Sequence, residues 1–171
     1  MSLKLTKLEA ARRQLATAIE LWFHDKDQVS IHALSFAAYE IIHAVSAKQG
    51  RTQDLLFDSS LVKNRNKNEY NNFVKKFANF FKHAKHDPHG TIEFQPDISE
   101  LFITFAILGL NTVGISANKY ELAFTWWLCL NHPEVLTQHG HDILAKGLPV
   151  DTVNEIRSMS KSEFLDVFLQ T

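Results

Sequence analysis

Apolar residues recur along most of the chain at three- and four-residue steps, which is the period of an amphipathic α-helix. The steps are clear between Leu5 and Phe23, and they predict a first helix over residues 4–24. The same pattern predicts further helices over residues 28–48, 67–86, 98–117 and 119–130, with two or three shorter ones between 133 and 171. Residues 91–94 alternate instead, and we expect them to form an extended connector. The pattern therefore predicts an all-α fold.

Composition narrows this prediction to one helical domain. The chain has 171 residues, of which 45% are hydrophobic, and its 13 Phe residues give enough apolar surface to exclude disorder. Six Gly and four Pro are too few for the turns of a many-stranded β-sandwich. We expect a single domain over residues 1–171, with an up-and-down bundle over 1–118 and additional C-terminal helices over 119–171 packed on it.

Cysteine content and charge bear on the compartment. A single cysteine, Cys129, excludes an internal disulfide and a zinc-finger spacing, which favours a cytoplasmic protein. Charged residues interrupt the first apolar positions, so no secretory signal is predicted. Residues 101–118 are 18 residues without a charge, the length at which a membrane span is considered. Polar residues inside this window, Thr104 and Asn111 among them, favour a buried core helix and no membrane contact.

Charge is distributed unevenly along the chain. Residues 62–86 carry seven basic side chains against Glu69 alone, whereas residues 87–171 carry four basic and eleven acidic ones. A basic segment in an otherwise neutral or acidic chain is a candidate anion-binding surface. A solvated helix face, balanced by the acidic C-terminal third, is the alternative interpretation.

The basic helix also carries candidate catalytic residues. A polar stripe follows steps of 4, 3, 4 and 3 along one side of it: Asn72, Lys76, Asn79, His83 and His86. His83 is a candidate general acid or base near neutral pH. Asn79 and Lys82 are candidate phosphate ligands, and Asp87 lies where it can orient the imidazole.

A second stripe lies on the helix predicted over residues 28–48. It consists of His32, Phe36, Tyr39 and His43, opposite an apolar face formed by Leu34, Ala37, Ile41 and Val45. If the two helices are neighbours, His32 and Tyr39 can approach His83 and complete a catalytic site. Two other interpretations stay open, since buried and hydrogen-bonded His or Tyr residues and symmetric helix interfaces show the same spacing.

The aromatic side of the basic helix predicts a core. The side expected to be buried consists of Tyr70, Phe73, Val74, Phe77, Phe80, Phe81 and Ala84. We expect one buried cluster made of Phe36, Ile41, Phe73, Phe77, Phe80 and Phe105.

Histidine clusters raise the question of a metal. The two candidates are His83, His86 and His89 with Asp87, and His139 and His141 with Asp142. Neither has the i, i+4 histidine pair of a zinc-protease helix, and surface histidines are the favoured interpretation. The sequence contains no dinucleotide-binding, P-loop or nucleophile-elbow motif. We therefore expect no metal and no cofactor.

Several sequence blocks resemble a bacterial HEPN-like helical family, the name standing for higher eukaryotes and prokaryotes nucleotide-binding. The blocks are Ala10–Leu15, Val29–Leu34, Ala37–Ile41, Asn79–Ala84 followed by Asp87 and Pro88, Trp126 with Trp127, and His132–Val135. The resemblance spans most of the chain. It implies a helical bundle, often homodimeric, of a kind that includes many ribonucleases of toxin–antitoxin and phage-defence systems.

The resemblance also implies a position for the active site. Nuclease members carry an arginine four to six residues before a histidine, and His83 takes the place of that histidine. No arginine stands in that window here, and Lys76 is a poor substitute for a bidentate arginine.

These observations lead to three hypotheses. The first is a homodimeric protein that binds RNA or a nucleotide phosphate. In its most specific version this protein is a metal-independent ribonuclease with an antitoxin partner. Its nucleic-acid contacts are Lys75, Lys76, Lys82 and Lys85. The second is a non-catalytic interaction or small-ligand module that uses the His32, Tyr39 and His43 stripe. The third is metal-assisted hydrolysis through His32, His83 and Asp87.

Overall fold

In this computed structural model the chain folds into helices, with long connections between the second and third helices and between the third and fourth. The structure describes residues 2–52, 54–60, 63–85 and 87–170, without the side chains of residues 135 and 143–145. In these ranges it has eight α-helices and no β-strand: α1 Lys7–Phe23, α2 Gln28–Lys48, α3 Lys67–Lys82, α4 Ile98–Thr112, α5 Lys119–Asn131, α6 Gln138–Gly147, α7 Val150–Ser158 and α8 Lys161–Gln170. Residues 91–95 have no regular structure. The predicted all-α fold is confirmed.

Capping residues set where the first two helices begin and end. Thr6 and Glu9 form a reciprocal capping box, so α1 begins at Lys7 and not at residue 4 as the periodicity predicted. The carboxylate of Asp27 accepts a hydrogen bond from the backbone N–H of Ser30 at the start of α2. This helix stops before Gly50, whose φ of 67° lies in the left-handed region that favours glycine.

The central element is α2, which packs between α1 and α4. A Cβ atom at Gly109 of α4 would lie 2.5 Å from Cγ2 of Ile42, so the absence of a side chain there lets the two helices approach closely. By length and composition α2 is the one helix of the described residues able to cross a membrane. The helix α4, which overlaps the charge-free window of the sequence, has 15 residues. A membrane span needs roughly 20.

A buried ion pair joins the N-terminal helix to α5. Both oxygens of the Glu121 carboxylate, which is inaccessible to solvent, accept hydrogen bonds from the Arg12 guanidinium at 3.2 Å. Glu121 also completes a capping box with Asn118 at the start of α5. The helix α8 closes this side of the core, because Phe164 packs against Phe23.

The predicted aromatic cluster is partly wrong. Phe36 and Phe77 are buried, whereas Ile41, Phe80 and Phe105 are half-buried and Phe73 is 62% exposed. The cause is the narrow contact of α3, which buries only Val74, Phe77 and Ala78. Consecutive residues of a helix point about 100° apart, so burial of Val74 turns Phe73 toward solvent.

The stripe on α2 points into the core. His32, Phe36 and Tyr39 are buried, as predicted for Phe36, whereas the opposite apolar face is only half-buried: Leu34, Ala37, Ile41 and Val45. Because α2 contacts helices on two sides, its largest aromatic residues fill the narrow centre of the bundle. The stripe on α2 is therefore part of the core and not an exposed face.

Candidate nucleic-acid interface

The solvent side of α3 carries the polar stripe that the sequence predicted. The side chains of Asn72, Lys76, Asn79 and His83 are all exposed. Phe73 lies at the border between this stripe and the buried side, one helical turn before Lys76, and its ring is 62% exposed. This surface therefore combines a cation, amides, an imidazole and an aromatic ring, which are the groups that contact phosphates and bases.

His83 lies immediately after the end of α3, where the backbone is extended. Its backbone N–H donates to the carbonyl of Asn79 at 3.1 Å, but its side chain has no hydrogen-bond or ion-pair partner among the residues that the structure describes. Asp87 is exposed and belongs to a turn in which its carbonyl accepts from the N–H of Gly90 at 3.3 Å. His86, the last member of the predicted stripe, lies outside the described residues.

The lysines of α3 are divided between two sides of the helix. Lys76 is exposed on the stripe, and Lys85 is exposed beyond the helix end. Lys75 places its ammonium 4.3 Å from the ring centre of Phe57. Lys82 lies 4.5 Å from the ring centre of Phe36 and donates to the Glu40 carboxylate at 3.3 Å. Lys82 thus faces α2 and not the stripe that ends at His83.

Most of this positive charge is unpaired. Residues 63–85 hold seven basic side chains and one acidic one. Within the described part of the chain, only Lys82 among the seven forms an ion pair with a carboxylate. Unpaired cations on one helix keep their attraction for an incoming anion.

His32 is sealed in the core and not in a cleft with His83. Its Nδ1 lies 3.2 Å from the hydroxyl oxygen of Ser99, while Nε2 has no partner among the described residues. Five phenylalanine rings lie with their centres 5.2 to 6.2 Å from the imidazole: Phe36, Phe77, Phe81, Phe94 and Phe102. Burial, and secondarily the charge of Lys82, lowers the pKa of His32 to about 4, so the ring is neutral near pH 7.

Tyr39 is also buried, and its role is to hold a loop. Its hydroxyl oxygen accepts a hydrogen bond from the backbone N–H of Phe57 at 3.1 Å. Burial raises the pKa of Tyr39 above its usual range, so it stays protonated. His32 and Tyr39 are therefore core residues in which every side is covered by protein, and neither is brought to His83.

A polar cluster that the sequence analysis did not identify lies beside Tyr39. Nε2 of His43 is 2.9 Å from the carboxylate of Asp58, and Lys67 donates to the backbone carbonyl of Asp58 at 3.4 Å. Burial raises the pKa of Asp58, but hydrogen bonds from Thr52 and His43 outweigh it, and the pKa lies below its ordinary value. His43 was visible as part of a stripe, whereas Asp58 lies in a loop without periodicity, and no sequence signal joins the two.

No set of three metal-ligating side chains is brought together among the residues described.

In comparisons with known proteins, no protein family, no curated protein and no solved structure matches this chain. The resemblance to HEPN domains stays a prediction.

Proposed function

We propose that the protein binds single-stranded RNA along the solvent side of α3. The observation that carries this proposal is the exposed ring of Phe73, three residues before Lys76, on a helix in which Lys82 is the one lysine that pairs with a carboxylate of the described residues. The resemblance to HEPN domains supports the same class of ligand.

Each group on this surface has a separate task. Lys76 on the stripe and Lys85 beyond the helix end attract the phosphate backbone, and condensed counterions are released on binding. Phe73 offers its face to an unpaired base, and such stacking tolerates any base. The amides of Asn72 and Asn79 donate to phosphate or base oxygens. Double-stranded RNA would bind less well, because its bases are already stacked within the duplex.

The geometry supports binding better than cleavage. Cleavage of RNA needs a proton donor and a proton acceptor held on either side of one phosphate. His83 carries an imidazole at the exposed end of α3, but none of the described residues is a hydrogen-bond or ion-pair partner of its side chain. Ribonuclease activity through His83, and with it a defence role and an antitoxin partner, is the narrower form of the proposal and depends on the HEPN resemblance.

The test is fluorescence anisotropy with a labelled 12-nucleotide RNA at several salt concentrations. Engagement of three to five phosphates predicts that the logarithm of the association constant falls with the logarithm of salt at a slope of about −2 to −4. Phe73→Ala should weaken binding by about tenfold or more through lost stacking, while leaving the melting temperature nearly unchanged.

Matched variants make the result specific. Lys76→Ala should reduce both affinity and salt slope, whereas Lys26→Ala, an exposed lysine between α1 and α2, should change neither. RNA binding that is absent at low salt, or equal in the Phe73→Ala and wild-type proteins, would overturn the proposal. Incubation of RNA with wild-type and His83→Ala proteins tests the narrower ribonuclease form separately.

The stripe on α2 was one reason to predict a homodimer, but it is buried. The predicted homodimer therefore needs a different surface. Uncharged faces of α4 and α5 expose three leucines by 41 to 47%: Leu101, Leu108 and Leu122. Apolar side chains exposed on neighbouring helices are typical of protein interfaces. We propose that two copies pair through this face, and Leu108→Glu should then produce a monomer.

A further inference from the structure

A cleft with apolar walls lies between α5 and the C-terminal helices, separate from α3. It consists of two pockets, of about 290 and 210 Å³, which share Leu130 and Leu148 in their walls. The larger pocket is lined by apolar side chains alone: Trp126, Leu130, Leu148, Ile156, Phe164 and Phe168. Concave apolar sites of this kind with a few polar groups are typical of small-molecule sites.

Polar groups are confined to the smaller pocket. Its wall includes the cation Arg157, together with Asn154 and His141. Nε of Arg157 donates at 2.7 Å to the backbone carbonyl of Leu130, a residue that lines both pockets, and this bond holds the guanidinium at the smaller pocket. Within the described part of the chain no carboxylate pairs with Arg157, and neither pocket is lined by an acidic side chain.

We propose that this cleft binds a small monocarboxylate with an apolar tail, such as a medium-chain fatty acid. The tail would occupy the larger pocket, and the carboxylate would accept hydrogen bonds from the terminal nitrogens of Arg157. A planar guanidinium matches a carboxylate in shape and charge, and its fixed Nε reduces the ordering that binding requires. Charge complementarity thus selects an anionic head, and the uncharged walls select the tail.

The cleft is suited to binding and not to covalent chemistry. Cys129 lines the smaller pocket together with His141. Burial raises the pKa of the Cys129 thiol, which keeps it in the protonated, weakly nucleophilic form. The site is independent of the RNA-binding surface, because none of its lining residues belongs to α3.

Isothermal titration calorimetry with the full chain and decanoate, kept below its micelle concentration, tests the proposal. We expect saturable binding of one decanoate per chain. Arg157→Gln should weaken it by about tenfold or more, because a charged hydrogen-bonding partner is lost. Arg13→Gln, at an exposed arginine of α1, is the matched control and should bind as the wild type does. Decanol and decylamine should bind at least tenfold more weakly than decanoate.

A second variant tests the position of the tail. Leu148 is half-buried and lines both pockets, so Leu148→Trp should fill the cleft and abolish binding while the circular dichroism spectrum and melting temperature stay near those of the wild type. The proposal is overturned if decanoate does not bind. It is equally overturned if folded Leu148→Trp binds decanoate as tightly as the wild type, or if Arg157→Gln has no effect.

Discussion

The buried imidazole of His32 makes stability depend on pH in a window that can be calculated. The pKa of His32 is about 4 in the folded protein, against 6.5 for an unperturbed histidine. Between these two values the unfolded chain binds a proton at this residue and the folded chain does not. The unfolding free energy therefore falls as pH falls through this window, and His32 contributes no such loss above pH 7.

The magnitude follows from the difference between the two pKa values. Each pH unit below the unfolded pKa costs about 1.4 kcal/mol until the folded pKa is reached. The loss attributable to His32 is then about 2 kcal/mol at pH 5 and about 3 kcal/mol at pH 4. This is a large part of the 5–15 kcal/mol that stabilises an ordinary domain.

The assay is urea unfolding at pH 7 and pH 5, followed by circular dichroism, on wild-type and His32→Gln proteins. Glutamine does not titrate and keeps an amide for Ser99, so the variant loses the His32 contribution whatever its stability at pH 7. We expect the wild type to lose about 2 kcal/mol more than His32→Gln between the two pH values. Carboxylates that take up protons on acidification affect both proteins alike and cancel in this difference.

An exposed histidine provides the control. His24→Gln, at an exposed position after α1, should keep the pH dependence that arises from His32, because it leaves the buried imidazole in place. The unfolding free energies of wild type and His32→Gln could instead fall by the same amount between pH 7 and pH 5. That result would show that water reaches the imidazole of His32, and it would contradict its burial among aromatic rings.

Three further predictions test the core, the buried ion pair and the assembly. Phe77→Ala should lower the unfolding free energy by about 3–5 kcal/mol and Phe73→Ala by less than about 1 kcal/mol, so equal losses in urea unfolding would contradict the faces of α3. Arg12→Ala should cost about 3 kcal/mol, because the buried Glu121 carboxylate keeps its hydrogen bonds from Asn118 but loses its counter-charge; a variant as stable as wild type would show that water reaches Glu121. Light scattering at micromolar concentration should give about twice the 19.6 kDa chain mass, and a monomer would contradict the dimer.

Sequence periodicity predicted the helices well where capping residues agree with it. The bounds of α2, Gln28–Lys48, match the prediction because Asp27 at one end and Gly50 at the other are local signals. The end of α4 at Thr112 was predicted five residues too late, although Gly114, with a φ of 82°, marks the stop. Local chemistry is readable from the sequence, and the helices follow it.

Which face of a helix is buried depends on neighbours that periodicity does not reveal. On α3 the described members of the polar stripe are exposed, but the aromatic residues occupy too wide an arc for one contact to cover. Phe77 packs on Phe94, which lies in the connector before α4 and gave no periodic signal. The pairing of His43 with Asp58 was not predictable for the same reason: it depends on how residues 54–60 fold back over α2, and this loop has no repeating pattern.

The contacts of α8 have a consequence for synthesis on the ribosome. Phe164 packs against Phe23, and Lys161 pairs with Asp25 across 136 residues of sequence. Until α8 has emerged from the exit tunnel, the aromatic end of α1 stays partly uncovered in the nascent chain, because α5 contacts Trp22 and Phe23 but the ring of Phe164 is missing. Long-range closure of this kind is slow relative to local helix formation. The chain therefore passes through a period of exposed apolar surface during translation, in which a holding chaperone has a site to bind.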